Sequence, residues 1–295
     1  MTHASHLSEG ARAVLRAPLQ ARLDWSTHEY FIPHSIVVDA LTWMRFCRLH
    51  ESGRGRPRSL HVMGAPDAGK SGLLKYYAAQ HGFSPQRRSD GSRPYPVILV
   101  EAPPSGNYRD LCQSLVQCCY PDFQLSRRVS VTEQCDRILL DAGVKQILID
   151  EGGNLLVGGP KAQQVGLSFL KRLSNRGLTL VIATPENSRN VLAADEQLRS
   201  RFIPCVLPAW HESDEFRSFL AGIERELPFP EASRLSERAC VRWFVSHQVL
   251  VTGQVVNTIR DATVIALMRE ARCLTLPLLD EAHAQRHAPD AREAS

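Results

Sequence analysis

The chain has 295 residues, room for two domains at most if each takes ~100 to 200 residues. Apolar residues make up 43% and charged residues 22%, which excludes a disordered polymer and leaves enough material for a buried core. Lys and Arg number 35 against 31 Asp and Glu, a net charge of +4, which permits an anionic partner without requiring one.

No stretch approaches the ~18 to 20 apolar residues needed to cross a bilayer, and Met1-Thr2-His3-Ala4-Ser5-His6 lacks the layout of a secretory leader. The expectation is a cytoplasmic protein with no membrane partner. Its 8 cysteines form no C-x-x-C pair and sit mostly among apolar neighbours, so reduced buried thiols are expected instead of a disulfide framework. With 11 histidines that complete no zinc framework, metal bound by side chains alone is not expected.

The first 33 residues show no strong periodicity and read as an extended arm or irregular cap. Val37, Ala40, Leu41, Met44 and Cys47 then recur at helical spacing, predicting an amphipathic helix that ends near Leu49. A basic link follows, Glu51-Ser52-Gly53-Arg54-Gly55-Arg56-Pro57-Arg58, either a phosphate patch or a solvated loop. It closes an N-terminal region, 1–58. From 59 to 210 five short apolar runs alternate with amphipathic stretches: Leu60 to Met63, Val97 to Val100, Ile147 to Ile149, Leu178 to Ala183 and Ile203 to Leu207. That alternation predicts an α/β domain with a parallel sheet and crossover helices. Ser130-Val131-Thr132-Glu133 reads as a capping box, and Gly143 and Gly177 as helix stops. Beyond Trp210 the apolar residues keep only helical spacing, giving three helices to about residue 272 in a small helical domain, 211–282, with a flexible tail over 283–295.

The strongest signal is Gly64-Ala65-Pro66-Asp67-Ala68-Gly69-Lys70-Ser71, a complete G-x-x-x-x-G-K-[ST] between a predicted strand and helix. Its glycines let backbone N–H groups turn inward around phosphates, above the positive end of the following helix. Lys70 is expected to reach the β and γ phosphates of ATP, and Ser71 to hold Mg²⁺. About eighty residues on, Ile147-Leu148-Ile149 ends in Asp150 and Glu151. Asp150 is expected to hold a water of the Mg²⁺ shell and Glu151 to polarise the attacking water. Thr184, ending the next strand, stands where a side chain could bind the γ phosphate or that water, and otherwise caps the chain before Pro185. In Gln197-Leu198-Arg199-Ser200-Arg201-Phe202, Arg201, with Arg199 as second choice, is expected to project into a neighbouring subunit's nucleotide. Such arginines supply ~10³ to 10⁵ in rate where they are known.

Together these features resemble an AAA+ ATPase, a P-loop NTPase with a central parallel sheet and a C-terminal helical lid. Asp150-Glu151, Asn154-Leu155-Leu156, Gln197-Leu198, Arg201-Phe202 and Leu207-Pro208-Ala209-Trp210 further resemble the TniB/TnsC family of transposition regulators over about residues 30 to 270. The resemblance implies an ATP-dependent adaptor that assembles on double-stranded DNA as a ring or helical filament. It would connect a TniQ-like target selector to a DDE transposase and come apart after hydrolysis; in some relatives the selector works with a CRISPR effector. Arg109, Arg127, Arg128 and Lys161 lie on connections leaving the strands and are the candidate DNA contacts. Two departures stand out. Gly152-Gly153 replace the bulky residue and His usual after the acidic pair, which is expected to loosen the loop holding Glu151 and slow hydrolysis. The helix after Gly253 carries its arginine, Arg260, two turns in, where a second sensor arginine would usually come sooner. The competing readings are an AAA+ helicase loader or replication initiator, and a nucleotide-dependent DNA-binding adaptor that does not hydrolyse.

Overall fold

Each predicted apolar run becomes a strand in the computed structural model, which describes residues 5–84, 86, 87, 89, 91–126, 128–156, 159–188, 190, 192 and 195–287. The strands are β1 (Ser59–Gly64), β2 (Val97–Glu101), β3 (Gln146–Asp150), β4 (Thr179–Thr184) and β5 (Phe202–Leu207). They form one sheet in the order β2-β3-β4-β1-β5, and every neighbouring pair is parallel. All six residues of β1 and all six of β4 are buried, as a parallel sheet covered on both faces demands. Because the strands run the same way, all their C-terminal ends emerge at one edge, the head, and all their N-terminal ends at the other, the foot.

Two compact units divide the chain, Ile36–Pro208 and the described residues of Met1–Ser35 together with those of Ala209–Ser295. In the α/β unit the helices Tyr108–Cys119, Val131–Asp141 and Pro160–Asn175 bury Leu111, Leu115, Leu139, Leu170 and Leu173 against Ile147, Ile149, Leu180 and Ile182 of the sheet. Ser130 Oγ accepts the Glu133 amide at the start of the second of these helices. Gly143 and Gly177, at φ +78° and +81°, supply the left-handed residues that end the second and third.

The helical unit packs Phe216 and Ile223 of Asp214–Glu224, Phe244 of Arg238–Ser246, Ile259 of Thr252–Met268 and Leu279 of Leu276–His287 into one core. Two features differ from the sequence expectation. Leu276–His287 is a helix that periodicity did not announce; its first residues hold Leu278 and Leu279 in the core and it carries on through 283–287. The arm is not extended either, since Glu9–Val14 and Leu19–Thr27 are helical. Long-range contacts explain both: in the arm, Trp25 Nε1 donates to Glu226 O at 2.9 Å, Arg22 Nη2 to Pro228 O at 2.9 Å, and Ile32 fills the space left by Gly222, while in the last helix Asp280 Oδ1 accepts from Trp243 Nε1 at 2.6 Å.

All eight cysteines are free thiols, five of them buried. Among the described residues no helix is long and apolar enough to cross a membrane, and no group of three or more His, Cys, Asp or Glu could hold a metal ion.

Candidate functional site

The P-loop takes its shape from local backbone. β1 ends at Gly64, where a Cβ would stand 2.9 Å from both Ala68 Cβ and the Leu207 carbonyl oxygen, so only glycine lets the loop turn against β5. Asp67 and Gly69 come next with φ of +61° and +92°, the alternation that aims successive N–H groups into a concave anion nest. Helix Lys70–His81 begins directly afterwards and adds its positive end to the same spot. Ala65, Pro66 and Asp67 are exposed, so the nest is open to a ligand. The residues therefore fit a phosphate chain.

Lys70 folds back over the loop, its Nζ donating to Gly64 O at 3.0 Å and Ala65 O at 2.7 Å. Burial lowers its pKa below 10.5, while the carboxylates of Glu151, Asp150 and Asp67 pull the other way. P-loop and acidic pair, at the C-terminal ends of β1 and β3, thus lie on the same edge of the parallel sheet, the head. Asp150 Oδ1 accepts the Glu151 amide at 3.0 Å. Glu151 itself stands exposed at φ +47°, a left-handed conformation that costs a non-glycine residue ~1 kcal/mol or more.

The turn after Glu151 corrects the expectation of a loosened loop. Gly152 and Gly153 are buried, and a Cβ on Gly152 would overlap Ile182 Cγ2 at 2.3 Å, one on Gly153 would meet Pro185 Cδ at 3.1 Å. The glycines let the turn lie directly on the end of β4, so they fasten Glu151. Asn154 completes the anchor by donating from Nδ2 to Ala102 O at 3.0 Å, with Leu155 and Leu156 sunk in the core.

Thr184 ends β4 beside this turn and is fully buried. Its hydroxyl donates to Pro185 O at 2.9 Å, so Oγ1 accepts from Nε2 of His61 at 2.7 Å. His61 is a residue that sequence reasoning missed; a histidine in the apolar strand leading into the P-loop was the available signal.

Arg201 also departs from expectation. Its guanidinium is buried inside its own subunit, Nη1 donating to Ser174 Oγ at 2.9 Å and Asn175 Oδ1 at 3.0 Å, and does not project outward. A side chain this deep gains two hydrogen bonds that solvent would otherwise have to supply. Arg199, two residues earlier, is exposed. Both belong to the foot, because Ser59 at the start of β1 donates its amide to Arg201 O at 2.8 Å.

Of the candidate DNA contacts, Arg109, Arg128 and Lys161 are exposed, and Arg127 lies outside the described residues. The N-terminal turns of Tyr108–Cys119 and Val131–Asp141 converge on a groove of about 660 Å³ lined by Asn107, Arg109, Gln113, Ser130 and Thr132. Arg260, the late lid arginine, donates from Nη2 to His28 O at 3.4 Å within the helical unit.

The model of the family described as bacterial TniB protein matches residues 22–212. Among curated proteins nothing matches the chain. Solved structures share its fold: Drosophila ORC bound to DNA at 15% identity (TM-score 0.57; 94% of this chain and 67% of that one covered) and the Aeropyrum pernix ORC2 protein at 16% (0.58; 93% and 74%). A RuvB point variant from Thermotoga maritima is similar at 13% (0.51; 86% and 70%). The fold is that of the AAA+ P-loop ATPases.

Proposed function

Because this chain belongs to the bacterial TniB family, we propose that it is an ATP-dependent regulator of DNA transposition. In this reading it oligomerises on double-stranded target DNA and links a TniQ-like target selector to a DDE transposase, and ATP hydrolysis drives its disassembly. The observation that carries the reading is an open anion nest at the head of the sheet, the same edge at which β3 ends in Asp150 and Glu151.

Lys70 leaves the Gly64 and Ala65 carbonyls to meet the β and γ phosphates, exchanging two neutral acceptors for anionic ones. Mg²⁺ would be held by Ser71 and the half-buried Asp150 and would neutralise phosphate charge. Glu151, fixed by the glycine turn against β4, orients and polarises the attacking water. Thr184 can redirect its proton from Pro185 O toward the phosphate by turning about Cβ–Oγ, since His61 holds the oxygen itself in place. At the foot, Arg199 stands open to a neighbouring copy, whereas Arg201 has to leave Ser174 and Asn175 to reach one.

Duplex DNA is the proposed ligand of Arg109, Arg127, Arg128 and Lys161. Two converging helix N-termini and flanking arginines favour phosphate oxygens without reading base sequence. A repeated subunit needs only a few such contacts each, so a net charge of +4 suffices.

Electron microscopy of the protein with duplex DNA and either ATP or ADP tests the reading. The expected result is ordered assemblies on DNA with ATP, absent with ADP and absent with Lys70→Ala. Equal assembly by Lys70→Ala and wild type would refute it.

A further inference from the structure

The link Arg54–Arg58 plays no part in the chemistry at the head, yet it is held far more firmly than a solvated loop requires. Glu51 is 3% exposed and accepts from Arg58 Nη2 at 2.8 Å, Arg58 Nε at 3.1 Å and Arg54 Nη1 at 3.3 Å. Burying a carboxylate costs several kcal/mol unless it is paired and hydrogen-bonded, so this one dictates the path of the link around it. Gly53 donates its amide to Gly177 O at 2.8 Å, Pro57 is buried, and the Arg58 guanidinium lies over the Phe46 ring at 5.0 Å.

This bracing leaves Arg56 exposed at the foot of β1, three residues ahead of Ser59, whose amide bonds the Arg201 carbonyl. No carboxylate among the described residues forms an ion pair with Arg56. Burial lowers the pKa of Arg201, Arg56 lowers it further and Asp195 opposes both. An exposed guanidinium with no carboxylate partner can take an anion from outside the subunit.

The nucleotide of the same subunit cannot be that anion. Lys70 stands beyond the head of β1, and the six residues of the strand at ~3.3 Å each put about 20 Å between head and foot. We propose that Arg56 contacts the phosphates of ATP held in the P-loop of a neighbouring copy, at the same foot as Arg199 and Arg201. The proposal rests on the ATPase reading and adds a residue from the link to the trans side of that site. Arg201, committed to Ser174 and Asn175, braces the foot, and Arg56 reaches outward from it. Head and foot are different surfaces, so the contact is head-to-tail and propagates from copy to copy. As the oxygen of water bonds to the γ phosphorus and the bond to the bridging oxygen breaks, ADP and phosphate leave. The Arg56 guanidinium neutralises charge on the γ oxygens throughout and exchanges no atom.

Phosphate release by the full chain with duplex DNA and ATP tests this with Arg56→Ala and Lys70→Ala, singly and mixed in equal amounts. Each variant alone is expected to lose at least tenfold. In the mixture a Lys70→Ala copy lends its Arg56 to the intact P-loop of an Arg56→Ala copy, restoring about a quarter of wild-type activity, since half the P-loops and half the arginines are intact. Arg56→Gln, which keeps the side chain's length, is expected to match Arg56→Ala. Wild-type rates in Arg56→Ala, or a mixture no better than the mean of its parents, would overturn the proposal while leaving the ATPase reading intact. Absence of DNA-stimulated release by wild type would overturn both.

Discussion

The head and foot of the same five-strand sheet are built by opposite means. At the head, main chain sets the shape: Gly64 turns against β5, Asp67 and Gly69 adopt positive φ, and Gly152 and Gly153 lay the acidic turn flat on β4. At the foot, side chains do it: a buried carboxylate gathers Arg54 and Arg58, and Ser174 and Asn175 take Arg201. A site made of backbone offers many donors to any phosphate chain and tolerates little change in residue size. A site made of arginines offers charge and can be moved, one guanidinium at a time, without disturbing the sheet.

The sharpest way to break this comparison is at Glu151, the head residue whose side chain is proposed to polarise the attacking water. Glu151→Gln is expected to cut phosphate release by ~10² to 10⁴ while ATP affinity, measured by titration with a fluorescent analogue, stays within about threefold. Equal losses in affinity and rate would make Glu151 a binding residue instead. Gly152→Ala tests whether the head depends on close approach. Its Cβ must displace Ile182, at a cost of ~1 to 3 kcal/mol, seen as a lower melting temperature together with slower release because Glu151 shifts with the turn.

The smallest effect is expected at the foot, in acid. Burial would raise the pKa of Glu51, but hydrogen bonds and charge from Arg58, with Arg54, outweigh it and hold the carboxyl below 4.5. A depressed acid contributes stability that is full above the unfolded-state pKa and lost as pH falls through the folded one. Denaturant titrations below about pH 4.5 should therefore show wild type losing stability more steeply than Glu51→Gln. Parallel pH profiles would mean that the carboxylate is not what holds the link.

The sequence made the head legible because its parts are contiguous: a strand, a glycine loop, a helix and, later, a strand ending in two acids. The capping Ser130, the stops at Gly143 and Gly177 and all five strands were legible for the same reason, each being set by neighbours within a turn or two. The foot draws on residues 51–58, 174–177 and 199–201, and no local pattern announces that these meet. Arg201 shows the limit well, since a position before a strand says nothing of Ser174 and Asn175 waiting beside it. His61 was hidden because its partner, Thr184, lies 123 residues away. The helix Leu19–Thr27 went unread because its apolar residues share no single stripe and its support comes from Glu226 and Pro228.

The Thr184 hydroxyl has a single hydrogen, and the Pro185 carbonyl already holds it. Any newcomer that wants this hydrogen must win it in exchange, one acceptor for another, so the net gain is a fraction of a full bond. A threonine placed this way answers weak acceptors with silence and gives way only to a strongly charged oxygen, the property that its proposed role, telling a nucleotide that ends in one more phosphate from one that does not, would require.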